Sequence, residues 1–272
     1  IKGIDKFQGH TFHTSRWDYD YTGGDASGGL SKLKDKRVGV IGTGATAVQC
    51  IPHLGAAAES LFVFQRTPSS VDVRANQVTD TNWVKTLTPG WQKRRMENFN
   101  TLVSGGYEKE DFVQDGWTEI FRNLTGVLPP EGYEAIPKNK LYLATELADF
   151  EKMEKIRSRV DSLVRDESTA EALKPYYRQF CKRPCFHDEY LETYNLPNVT
   201  LVDTAGKGVA EVTSRGVIVD GKEYELDCLI FATGFEVGTS YTRRSGYEVI
   251  GQNGRRLGKK WEKGPTTFHG MH

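Results

Sequence analysis

An excess of charge of either sign is missing from this 272-residue sequence: lysine plus arginine and aspartate plus glutamate each total 36, and the formal net charge is zero. A balanced chain gives no electrostatic basis for gathering nucleic acid or an anionic membrane, so neither is expected as a partner. Long apolar runs are missing too. No stretch approaches the roughly 20 residues that cross a bilayer, and the first residues do not read as a secretory signal. A membrane span is therefore excluded, and a cytoplasmic location is expected. Cysteine is scarce: Cys50, Cys181, Cys185 and Cys228 form neither a C-x-x-C pair nor a zinc-type double pair. That argues against a metal site and against a dithiol reductase, and for reduced thiols. Apolar residues at 38% and aromatics at 11% are a low share, yet enough to pack a core. The chain opens at Ile1 without a methionine and closes at Met271–His272, so it is expected to be part of a longer protein.

Residues 1–30 mix aromatic and polar side chains without a period, with Gly23, Gly24, Gly28 and Gly29 keeping the backbone permissive; a linker is expected. The pattern then sharpens. Arg37-Val38-Gly39-Val40-Ile41 is an apolar run of the kind buried parallel strands show. Gly42-Thr43-Gly44 follows, then Ala45 to Ile51 as a helix ending near Gly55, and a second strand at Leu61–Gln65. Strand, turn, helix and strand make a βαβ unit. Residues from about 80 to 178 are polar, Trp-bearing and helical in period. After Thr145, the residues Leu147, Phe150, Met153, Ile156, Val160 and Leu163 recur at three- and four-residue spacing, and Ser168 with Glu171 gives a capping box. Strands return at 198–202, 209–212, 217–219 and 226–232, with Asp220-Gly221 as a hairpin signal. The expected fold is α/β: a Rossmann-like three-layer domain over 31–240, with a helical insertion at about 80–178 and a small β-meander. Residues 241–272 begin a further segment.

Gly42-x-Gly44-x-x-Ala47 stands directly after a strand and opens a helix, the context a dinucleotide fingerprint requires. Gly42 permits the tight turn, the bare Gly44 lets a pyrophosphate approach the backbone, and Ala47 keeps the helix close to the sheet. The free N–H groups and positive end of the helix then hold the phosphates. The end of the second strand selects the nucleotide. NAD sites place a carboxylate there, but this strand ends Gln65-Arg66-Thr67, with no acid. Arg66 offers a planar fork and Thr67 a hydroxyl to a 2′-phosphate, so NADP(H) is expected.

These residues spell out a family. Phe7, Gly9, His13, Trp17 and Asp18 match the pattern F-x-G-x-x-x-H-x-x-x-W-[PD] at every fixed position. The chain resembles the Baeyer–Villiger monooxygenases, and the resemblance runs through nearly its whole length, most weakly in the helical insertion. Gly42, Thr43, Gly44, Ala45, Thr46, Ala47 and Gln49 are similar to the family's second, NADPH-binding turn. Phe64 to Pro68 resembles its 2′-phosphate segment, and Ala232-Thr233-Gly234-Phe235 its passage back to the flavin domain. Lys182-Arg183-Pro184, ahead of Tyr190 and Tyr194-Asn195, resembles the family's K-R stretch. The resemblance implies that Lys182 is a second contact to the 2′-phosphate. It implies that Arg183 is the catalytic arginine, whose permanent charge stabilises the anionic species of oxygenation. It implies NADP(H) and FAD as cofactors, O2 and a ketone as substrates, and an ester or lactone as product. His13 and Trp17 read either as anchors of the linker or as links between cofactor binding and domain movement. The family's FAD fingerprint lies upstream of residue 7, so the FAD site is expected mostly outside this chain, with a flavin domain as the missing partner. A non-catalytic NADP(H)-binding module and a heteroatom-oxidising flavin monooxygenase remain alternatives.

Overall fold

The computed structural model describes residues 1–124, 138–235 and 238–267. It divides into two units, Ile1–Thr233 and Gly234–His272. In the first unit the strands are β1 (His10–His13), β2 (Arg37–Ile41), β3 (Ser60–Gln65), β4 (Val71–Asp72), β5 (Cys185–Phe186), β6 (Val199–Asp203), β7 (Glu211–Val212), β8 (Gly216–Val219), β9 (Lys222–Glu225) and β10 (Cys228–Phe231). Its helices are α1 (Tyr19–Thr22), α2 (Ala45–Ala57), α3 (Thr81–Thr86), α4 (Trp91–Val103), α5 (Gly116–Leu124), α6 (Lys138–Leu163), α7 (Glu167–Leu173) and α8 (Tyr190–Thr193). Among its described residues the second unit holds two short α-helices, α9 (Tyr241–Ser245) and α10 (Leu257–Lys260).

Five strands form a parallel sheet in the order β1-β10-β2-β3-β6. Side chains on successive residues point to opposite faces, and both faces are covered. Val38, Val40, Leu61, Val63, Cys228 and Ile230 join Val48, Ile51 and Leu54 of α2 in one core. Phe64, Val202 and Leu229 join Val212, Val217 and Val219 of the β7-β8-β9 meander in the other. Burial on both faces is why these strands read as unbroken apolar runs rather than alternating ones. The three-layer α/β arrangement expected from the sequence is thus the observed one.

Several local expectations differ. Residues 10–13, expected in the linker, are the edge strand β1, paired in register with β10 from His10–Cys228 to His13–Phe231. Helix α2 ends at Ala57, close to the expected Gly55, and runs through Pro52. Gly55 is there for packing: a Cβ on it would lie 2.7 Å from Thr193 Cγ2 and 3.1 Å from Val199 Cγ2. Helix α6 begins at Lys138, before Thr145. Of its apolar stripe, Met153, Ile156 and Val160 are buried whereas Leu147 and Phe150 are exposed. The cap of α7 is Asp166, whose carboxylate accepts the Thr169 N–H at 2.8 Å; Ser168 lies inside the helix. At the β8–β9 turn Asp220 and Gly221 both take positive φ, 46° and 80°, the hairpin geometry the pair signals.

The insertion is bound to the sheet domain through a two-residue parallel ribbon of β4 and β5. Arg159 of α6 donates to the carbonyls of Val71 and His187, each at 3.1 Å. Lys152, buried on the same helix, sits 2.5 Å from Asp72 and 2.9 Å from Glu119 of α5. This pairing gives the lysine's charge the partners burial requires. Among the described residues no helix is long and apolar enough to cross a membrane. No group of three or more His, Cys, Asp or Glu among them could hold a metal ion.

Candidate functional site

The sheet reverses its direction of growth at β2. The chain leaves β2 for β3 on one side, while β10 lies on the other. Ligands of open α/β sheets sit at the carboxyl ends of strands beside such a switch point. Here that position is the glycine turn. Gly42 has φ 117°, and a Cβ on it would stand 2.5 Å from the Ala232 carbonyl oxygen at the end of β10. Only glycine fits both demands. Gly44 differs in kind. Its φ is −74°, open to any residue, and no atom lies within 4 Å of where its Cβ would be. The bare backbone therefore lines open space at the start of α2. No side chain caps this helix, and the first internal bond runs from the Val48 N–H to the Gly44 carbonyl. The amides of Ala45, Thr46 and Ala47 are left as donors at its positive end. Ala47 is buried against the sheet, Ala45 half-buried and Thr46 exposed. Gln49 is exposed and returns its amide to the Ala45 carbonyl at 3.0 Å, so it stays on its own helix.

The segment after β3 is tied to that turn. Thr43 Oγ1 donates to the Thr67 carbonyl at 2.8 Å, and Ser69 Oγ donates to the Thr43 carbonyl at 2.6 Å. Lys182, distant in sequence, arrives at the same place because β5 pairs with β4: the Cys185 N–H donates to the Ser70 carbonyl at 3.0 Å. The Lys182 ammonium then donates to the Thr67 hydroxyl and to the carbonyls of Thr67 and Pro68, at 3.3 and 3.1 Å. Burial first, and the Arg66 guanidinium nearby second, hold this ammonium below the usual lysine range. Thr67 and Lys182 thus meet directly and Arg66 lies within electrostatic reach. Arg183 is exposed one residue on, and its charge acts on the neighbouring Cys185 thiol. No carboxylate among the described residues forms an ion pair with Arg66, Lys182 or Arg183. Cations gathered without acids, on a segment tied to the glycine turn, give this end of the sheet a positive surface of the kind that suits an anion.

The fingerprint segment folds on itself at the opposite edge of the sheet. His10 stacks on Tyr21 at 4.0 Å and meets the Asp18 carboxylate at 2.8 Å; Trp17 packs edge-on to Phe12 and donates to Thr22 Oγ1 at 3.1 Å. His13 shares its Nδ1 with Ser15. Tyr190 and Tyr194, from the run after Lys182-Arg183, are buried and joined hydroxyl to hydroxyl at 2.9 Å. Asn195 braces the end of α6 through the Leu163 carbonyl.

Sequence reasoning missed Ser69 and Tyr177, both of which touch the segment after β3. A run of small hydroxyl residues after a strand is the only signal Ser69 offers, and Tyr177 offers none.

No family model matches the chain. It is 60% identical over its full length to neopentalenolactone D synthase of Streptomyces avermitilis, of which it covers 46%. It is 56% identical over 99% of its length to Baeyer–Villiger monooxygenase ATR8 of Stachybotrys chlorohalonatus, covering 43% of that protein. The chain therefore spans just under half the length of the curated relatives it matches. Among solved structures, the polycyclic ketone monooxygenase of Thermothelomyces thermophila aligns with 99% of the chain and 45% of its own, at TM-score 0.84 and 42% identity. A complex of OTEMO with FAD and NADP aligns over 99% of the chain and 50% of its own, at TM-score 0.67 and 29% identity.

Proposed function

We propose that this chain, homologous over its whole length to Baeyer–Villiger monooxygenases, holds NADP(H) within an FAD-dependent enzyme that converts a ketone to an ester or lactone with O2. One observation carries the reading: the Lys182 ammonium bonds the Thr67 hydroxyl, with Arg66 close by and no acid, on the segment that Thr43 and Ser69 tie to the glycine turn. A carboxylate at that place would recognise an unphosphorylated ribose; cations recognise the 2′-phosphate. The solved complex with FAD and NADP supports the same cofactor pair.

In this reading residues 31–240 are the NADP-binding domain, and 241–272 begin a segment that returns to the flavin domain. FAD would be held mostly by parts of the parent protein beyond this chain. When bound, NADPH supplies a hydride and the flavin the oxygen chemistry. The chain's own residues bind and orient. The amides of Ala45 to Ala47, past the open face of Gly44, hold the diphosphate. Arg66, Thr67 and Lys182 hold the 2′-phosphate. Arg183 places a permanent positive charge, with no proton to lose, where negative charge accumulates during oxygenation. Cys50, Cys181, Cys185 and Cys228 are free thiols, which supports a reducing, cytoplasmic setting.

The test is selectivity. Arg66→Ala is expected to weaken NADPH binding by about tenfold, the worth of one charge-assisted contact at an exposed position, and to leave NADH nearly unchanged. Equal loss of both cofactors in a calorimetric titration would refute the assignment.

A further inference from the structure

We infer that Tyr177 is a positioning residue that sets the preference for a phosphorylated ribose; the inference rests on the reading of Arg66, Thr67 and Lys182 given above. Two tyrosines stand side by side in the loop after α7, and they do different work. Tyr176 faces away, exposed, its hydroxyl on Glu171 at 2.7 Å and its ring beneath Arg157. Tyr177 turns inward. Its hydroxyl accepts the Ser70 N–H at 2.8 Å and donates to the Pro68 carbonyl at 3.1 Å, closing the turn that follows Thr67. The same Pro68 carbonyl accepts the Lys182 ammonium at 3.1 Å, and that nitrogen lies 5.3 Å from the centroid of the Tyr177 ring.

One side chain thus joins three parts of the site. Its hydroxyl fixes the turn at residues 68–70, which includes Ser69, the residue bonded to the glycine turn at Thr43. Its ring presents a negative face to an ammonium that burial and a neighbouring guanidinium both disfavour, and ring-face attraction at this distance offsets part of that penalty. The cation stays charged and aimed along Thr67 before any ligand arrives. A phosphate on the 2′-oxygen gains from that arrangement, and a bare hydroxyl does not. Tyr177 touches neither cofactor nor substrate in this scheme; it acts through Lys182 and the turn.

The test compares adenosine 2′,5′-bisphosphate with AMP, probes that differ at the 2′-position and need no flavin. Calorimetry on the purified protein gives both affinities, and thermal unfolding accompanies each variant. Tyr177→Leu removes ring and hydroxyl and is expected to weaken the bisphosphate about tenfold while moving AMP less than about twofold. Tyr177→Phe keeps the ring, so the bisphosphate should lose only about threefold. Equal losses of both ligands with Tyr177→Leu, or no loss of either, would overturn the inference, since a merely structural tyrosine does not discriminate the 2′-phosphate. Lys182→Met separates the two levels. If it weakens both ligands alike, the 2′-phosphate reading fails and the inference with it. If it is selective and Tyr177→Leu is not, the inference alone fails. Should Tyr177→Leu not fold, Tyr177→Phe decides: a selective loss of the bisphosphate supports the role, and no loss overturns it.

Discussion

The two glycines of the turn after β2 call for opposite outcomes from the same substitution. Gly42→Ala forces a side chain onto a backbone with φ 117°, and its new methyl carbon would stand 2.5 Å from the Ala232 carbonyl oxygen, which is backbone and cannot swing aside. The unfavourable dihedral costs about 1–3 kcal/mol. Overpacking against a fixed neighbour adds about 1–3 kcal/mol more. A loss of about 2–6 kcal/mol lowers the melting temperature of a domain this size by roughly 4–24 °C. Gly44→Ala meets neither obstacle, with φ −74° and nothing within 4 Å. Its cost is a poorer helix cap, about 1 kcal/mol at most. Its methyl group instead occupies the face a pyrophosphate approaches, so NADPH affinity should fall at least about tenfold, or 1.4 kcal/mol. Differential scanning calorimetry and cofactor titration of the two variants, side by side, decide the matter. A Gly42→Ala protein as stable as Gly44→Ala would refute the steric argument. A Gly44→Ala protein that binds NADPH like the parent would remove the diphosphate from this turn.

Arg183→Ala, made in the complete enzyme, should leave NADPH binding measurable and abolish ketone oxygenation; normal product formation by gas chromatography would withdraw the arginine from the reaction. The four thiols should separate in a disulfide-exchange assay at pH 8. Exposed Cys181 reacts quickly. Cys50 and Cys228, pushed up to about 12 by burial, and Cys185, also raised by burial, wait for unfolding. Rapid release of all four would contradict the packing. His187 Nδ1 accepts the N–H groups of Glu189 and Tyr190, which the neutral ring alone can do, and burial holds its pKa below the ordinary 6.5. The sign follows: its stabilisation is complete above about pH 6.5 and is lost as pH falls through the lower folded value. His187→Ala should cost about 1 kcal/mol at pH 7 and flatten the acid side of the stability profile; an unchanged slope between pH 7 and 5 would remove His187 as its source.

The elements legible in the sequence were those whose residues face one environment. β2, β3, β6 and β10 lie between two apolar layers and announce themselves as apolar runs, and β8 does so because its valines pack onto one face of that sheet. The Asp220-Gly221 turn follows from backbone conformation alone. β1 was hidden because an edge strand spelled His10-Thr11-Phe12-His13 has neither an apolar run nor strict alternation; its place is set by pairing with β10. Gly55 imitates a helix end but answers to Thr193 and Val199, across a contact that periodicity does not encode. Ser168 imitates a cap from inside the helix, whereas Asp166 caps the helix by accepting the Thr169 N–H with its carboxylate. Within the site, Gly42, Gly44 and Arg66 could be picked out by spacing, and Lys182 and Arg183 by resemblance. Ser69 and Tyr177 could not, since their partners are carbonyls and amides of residues that carry no signal of their own.

The ribbon of β4 and β5 has a consequence for how this architecture tolerates change. Asp72 and Phe186 are paired neighbours, so the long helical excursion between them leaves and re-enters the sheet domain at a single doorway. Lengthening such an excursion costs little, about 0.6 kcal/mol for each doubling of a flexible loop. Whatever is spliced into or trimmed from its far end leaves the doorway, and the spacing of Thr67 and Lys182 beside it, as it was. The insertion can therefore vary in length while the pairing of β4 with β5 keeps Lys182 beside Thr67.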